Sequence, residues 1–279
     1  MSHRALWPLI VLSGCVSPLG NLKAETPLTV ERAQFVIKSD GRSERDVARL
    51  ERALQRVPAA TGRWGSLTQP VTVYLVATHG DLEAAVGRFG FAWLRAWAHF
   101  DDVIFQAPST WTANQEVVDE LVIHELTHCV LFQASADEKS WLTRGIPLWF
   151  REGMALVTAQ QHGRYPSLED TARWFEEHPE LDAFEDGEAL SKERGSEVYG
   201  VALHAFEFLE RRVGAEQVRA VMAAMRAGDD FHAAFARALG FGVGDFVKQF
   251  RAFLQARQFR ELKRSVPAES GQQIDPRPK

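Results

Sequence analysis

The sequence predicts an α+β protein: a mixed β-sheet with helices in its N-terminal part, then one long helix, then a mostly α-helical C-terminal part. Three observations predict this. Up to about residue 110, β-branched runs bounded by turn residues alternate with helical stretches. From Thr112 nearly to the end, apolar residues recur with the helical period. The 279 residues are 46% hydrophobic and 25% charged, which excludes disordered, collagen-like and simple repeat classes. A net charge of −5 with no basic run argues against a nucleic-acid partner, since phosphate affinity needs a basic face. Two cysteines, one of them within the first 15 residues, exclude a disulfide framework.

Taken in order, residues 1–24 read as an export signal: Arg4 supplies the charged start, an apolar run over 5–11 follows, and small or helix-breaking residues come next. The run is too short to span a membrane. A polar tether over 16–28 leads to a strand at 33–38 and an amphipathic helix at 43–57 opened by Ser43. After a turn at Thr61-Gly62, Val71-Thr72-Val73-Tyr74-Leu75-Val76 is a strand between Pro70 and His79-Gly80. A short helix is expected at 81–87, then two antiparallel strands, 91–99 and 103–107, joined at Asp101-Asp102. Helices follow at 113–133, 146–160, 168–178, 195–213, 216–227, 230–239 and 243–259, with Gly214, Gly228 and Gly240 where helices stop. The stretch 261–279, with Pro267, Pro276 and Pro278, reads as a disordered tail. One domain over 29–260 is therefore expected, β-rich over 29–110 and helical over 111–260.

The chemistry begins with His124-Glu125-Leu126-Thr127-His128. Four residues at about 100° each return the second imidazole to the same side of the helix, one turn on. Two neutral nitrogens then address one point, as a tetrahedral zinc requires, with Glu125 beside them. Thr112 and Gln115 have capping-box spacing, and neither Gly nor Pro occurs over 113–133. With nine histidines in the chain, chance produces such a pattern in about 2% of comparable sequences. The motif alone therefore leaves open two histidines packed among Leu121, Val122, Leu126, Val130 and Leu131.

Beginning 21 residues after His128 comes Trp149-Phe150-Arg151-Glu152-Gly153-Met154-Ala155. With this second motif the chain resembles the gluzincin metallopeptidases, specifically the peptidase-MA-like family, over roughly 71–254. The resemblance implies a zincin-like fold, and one Zn2+ per chain on His124, His128 and Glu152. It further implies peptide or protein substrates, cleaved without a covalent enzyme intermediate by a zinc-activated water with Glu125 as general base. Tyr199, in Ser196-Glu197-Val198-Tyr199-Gly200, takes the place of an oxyanion-stabilising tyrosine, with His204 and Arg194 as weaker candidates; anchoring of helix packing is the other role open to that ring. Gly153 is expected to let the two motif helices approach closely. Gluzincins of the thermolysin type carry an aspartate four residues after the third ligand, where this chain has Leu156. Asp119 and Glu120 are the nearby carboxylates considered for supporting the histidines.

Leu12-Ser13-Gly14-Cys15 resembles a bacterial lipobox, which implies lipidation at Cys15. Val16, rather than aspartate, follows, and by the same analogy points to the outer membrane. Cleavage near 24 and secretion is the alternative. A lipid at Cys15 is then the sole expected membrane contact, and the oligomeric state is not readable from sequence. Cys129 is expected to be a small buried hydrophobe. Related enzymes place a substrate-pairing edge strand before the motif helix, where Trp93, Trp97 and Trp111 either line a cleft or belong to the core. Three other functions stay open: a non-catalytic zincin-like envelope protein that binds a partner, a zinc hydrolase of non-peptide amides, and a structural lipoprotein with a chance motif.

Overall fold

The computed structural model describes residues 28–31, 34–39 and 44–265. The export signal, Cys15 and the last residues of the expected tail lie outside these. Among the described residues no helix is long and apolar enough to cross a membrane. The chain divides into two compact units, residues 1–56 with 69–129 and residues 57–68 with 130–279.

The first unit is built on a five-stranded sheet of order β1-β2-β3-β5-β4. β1 (Leu28–Glu31) runs antiparallel to β2 (Phe35–Ser39), which is parallel to β3 (Val71–Val76); β3 is parallel to β5 (Asp102–Gln106), and β4 (Ala96–His99) closes the far edge antiparallel to β5. β3 and β5 occupy inner positions and are buried nearly throughout, which explains why their sequences are near-continuous apolar runs. β1 falls partly in the expected tether: its apolar-polar alternation covers only four residues, too few to register as a strand. The expected strand 91–99 begins only at Ala96, because residues 87–95 form a loop. Asp81 ends its capping box with Thr78, so the preceding helix α3 (His79–Val86) starts earlier than expected and stops at Gly87 in the left-handed region. α3 packs on β3 and β5, where Leu82 and Ala85 join Tyr74, Val76, Leu94 and Ile104 in one buried cluster.

Helix α1 (Glu44–Leu54) holds the chain that enters the motif helix. Its buried Asp46 accepts from the Ser109 amide and hydroxyl, and its buried Arg49 donates to the Thr112 and Asn114 carbonyls and the Gln115 side chain. These contacts preempt the expected capping box. Thr112 instead accepts from the Asn114 amide, and Asn114 caps helix α4 (Gln115–Ser135) by accepting from the Glu116 amide at 2.9 Å. Gln115 is drawn away to Arg49 and Asp119.

The second unit contains the short helix α2 (Val57–Thr61), the end of α4, and helices α5 (Leu148–Thr158), α6 (Leu168–Glu177), α7 (Gly187–Leu190), α8 (Gly195–Arg226), α9 (Phe231–Leu239) and α10 (Val243–Ser265). Trp64 explains why residues 57–68 belong here: its fully buried indole donates to Thr158 at 2.7 Å and meets Phe206 edge-on. α5 and α9 both pack on α8, and α6 packs on α10. α8 breaks at Gly214, whose φ of 80° and ψ of 161° are not helical, at the stop read from sequence. α10 extends to Ser265, past the expected tail start at 261. Glu261, Leu262, Lys263 and Arg264 are good helix formers.

Candidate metal centre

The helix α4 is unusual in burying polar side chains together with apolar ones. Val122, Leu126, Cys129 and Val130 are buried, and so are Asp119, His124, Glu125, Thr127 and His128. Thr127 satisfies its hydroxyl on the Ile123 carbonyl within the helix at 2.7 Å. His124 and His128 lie one turn apart with ring centroids 4.9 Å from each other and planes at 83°. Glu152, on the second turn of α5, is 8% exposed, and His124 and His128 are 8% and 7% exposed. His124, His128 and Glu152 each offer one donor atom to a metal. Two imidazole nitrogens and one carboxylate oxygen, withdrawn from water, are the donor set of a three-ligand catalytic zinc site. The residues present therefore fit the metal that the resemblance implies. Glu125 is buried beside His124 on the same helix.

A peptidase MA superfamily model matches residues 50–256. The chain belongs to that superfamily. No curated protein matches the chain. Superfamily membership establishes a zincin-like α+β fold and a metallopeptidase-like function, and it implies peptide or protein substrates.

Several expectations about the surroundings need correction. In this peptidase MA chain, Gly153 does not serve an approach between the two motif helices. A Cβ added there would stand 2.2 Å from the Ala202 carbonyl oxygen and 2.5 Å from Phe206 Cβ, so the glycine lets α5 press against α8. Gly153→Ala is expected to destabilise the protein by about 1–3 kcal/mol through overpacking, read as a lower urea midpoint; an unchanged midpoint would contradict the contact. Asp119 does not support a histidine, because Arg56 and Gln115 hold its carboxylate. Glu120 is half-buried one turn before His124, and Leu156 is fully buried in α5.

Tyr199 is half-buried near the start of α8, its ring stacked on Tyr165 at 5.7 Å. His204 is committed elsewhere. Its Nε2 donates to the Pro166 carbonyl at 2.9 Å, and burial lowers its pKa, so it is held neutral near pH 7. Arg194 stands at the N-cap position of α8. The tryptophans divide by environment: Trp97 is half-buried beneath the Arg88 guanidinium, Trp111 donates to the Gln106 carbonyl, and Trp93 is 60% exposed. Cys129 is the small buried hydrophobe expected; burial pushes its thiol pKa well up, and its Sγ faces the His99 carbonyl.

Sequence reasoning passed over Arg151. Its Nε lies 3.3 Å from Glu152 Oε1, and its Nη1 forms an ion pair with Glu188. A signal was present, since a cation in the first turns of a helix opposes the dipole and needs carboxylate partners.

Proposed function

We propose that this chain is a zinc-dependent metallopeptidase that holds a single Zn2+ on His124, His128 and Glu152 and uses Glu125 as general base. The observation that supports it best is the burial of two imidazoles and one carboxylate, on the two motifs, in a chain that belongs to the peptidase MA superfamily. When bound, the metal supplies Lewis acidity, which acidifies water and polarises the scissile carbonyl. Glu125 takes a proton from the attacking water and passes it to the leaving amine nitrogen. Tyr199 donates a hydrogen bond to the developing oxyanion. The extended substrate lies along β4, an edge strand of the sheet among the described residues. Residues 1–24 direct export to the cell envelope, where Cys15 is the lipid attachment point at the outer membrane; cleavage near 24 gives instead a periplasmic or secreted enzyme. A peptide substrate is preferred over other amides because the superfamily is one of peptidases.

The metal content of the wild type beside Glu152→Ala tests the site. About one zinc per chain is expected, lost or much weakened in the variant, because removing one of three protein ligands breaks the coordination set. Folded wild-type protein that takes up no zinc when supplied with it defeats the proposal.

A further inference from the structure

The side chain of Arg151 is 23% exposed and stands in the second turn's approach to Glu152, at the end of α5 where the helix dipole is positive. Among the described residues the first turn of α5 contains no acidic residue to offset that charge, and Pro147 at its N-cap gives no side-chain cap. The guanidinium is instead spread over three partners. Nε faces Glu152 Oε1 at 3.3 Å, Nη1 pairs with Glu188, and Nη1 also reaches the Ile146 carbonyl at 3.5 Å. Glu188 comes from the short helix α7, which packs on α5, so the arginine is tethered from outside its own helix.

A glutamate carboxylate can turn about the end of its side chain, and a rotating carboxylate is a poor ligand. A planar guanidinium engaged with one carboxylate oxygen fixes the plane of the group. The oxygen it engages is weakened as a metal donor, which leaves the other oxygen as the better one. We propose that Arg151 is a positioning residue for the metal: anchored on Glu188, it grips Glu152 and sets the carboxylate that serves as third ligand. This rests on the metal reading above. Partners that orient ligands in this way are worth about 10–100-fold in metal affinity.

The test compares the full-length wild type with Arg151→Met, Arg151→Lys and Glu188→Gln. Zinc affinity is read by competition with a chromophoric chelator, and the visible absorption of the cobalt-loaded forms reports the ligand field directly. Arg151→Met is expected to bind zinc about 10–100-fold more weakly with an altered cobalt spectrum. Arg151→Lys, which keeps the charge but not the fork, recovers part of the loss. Glu188→Gln weakens binding less than Arg151→Met, because it loosens the anchor and not the grip. If Arg151→Met folds, as judged by its thermal midpoint, yet binds zinc as tightly as wild type with the same cobalt spectrum, the proposal is overturned. If that variant does not fold, the lysine and Glu188 variants decide, and unchanged affinity and spectrum in both overturn it. A wild type that takes up no metal overturns the metal reading itself, and the role of Arg151 with it.

Discussion

On the proposed mechanism, replacing Glu125 with glutamine is expected to lower kcat for peptide hydrolysis by about 10²–10⁴-fold while zinc content stays at the wild-type level. Glutamine keeps the size and shape of the side chain but its amide cannot accept a proton, so the step that deprotonates water and reprotonates the amine loses its carrier. Glu125 is buried, which leaves little bulk water to substitute for it. The measurement is kcat and KM on a peptide substrate together with metal analysis of the same preparation. A glutamine variant as active as wild type ends the general-base assignment. A loss of zinc in parallel with activity would instead give Glu125 a role in holding the site together.

The second large effect falls on stability. Trp149 opens the motif that contains Glu152, yet it takes no part in ligation: it is 1% exposed and forms the hub of an aromatic core. Phe246 stacks on it at 5.0 Å, and Phe150, Phe184, Phe231 and Phe235 meet it edge-on at 5.5 to 6.2 Å. Removing the indole leaves a large cavity that five rings cannot close by small shifts, because each already packs on others. Trp149→Ala is expected to cost about 3–5 kcal/mol, which for a chain of this size lowers the thermal midpoint by about 6–20 °C. A fall of under about 2 °C would mean that the site collapses without strain, contrary to this packing. Metal affinity should fall with stability, since Trp149 anchors the helix from which Glu152 projects.

Much of the architecture was legible because it is written in local periodicity. The strand Val71–Val76 and the stops at Gly214 and Gly240 depend on branching, hydrogen bonding and backbone conformation within a few residues. Where reading failed, a partner distant in sequence had intervened. The Thr112–Gln115 pairing had the right spacing, but Arg49 and Asp119 competed for Gln115 and left the cap to Asn114. Asp119, beside Glu120, looked available to support a histidine, but Arg56 had taken it. Phe91 to Arg95 had the apolar content of a strand, but Glu83 accepts from the Gly90 and Phe91 amides and bends that segment into a loop.

Which donors this protein offers, and that two of them share a helix face, are local properties of the chain, because the pitch of an α-helix fixes His124 against His128 whatever surrounds them. The family was legible there too, and the superfamily match over residues 50–256 bears it out. What required the folded chain is the burial of Glu152, the contact of Gly153 with Ala202, and the reach of Arg151 to both Glu152 and Glu188. Those relations join side chains brought together by the burial of Trp149 and its neighbouring rings, and hydrophobic burial is non-directional: it selects partners by the fit of whole elements, which no local pattern records.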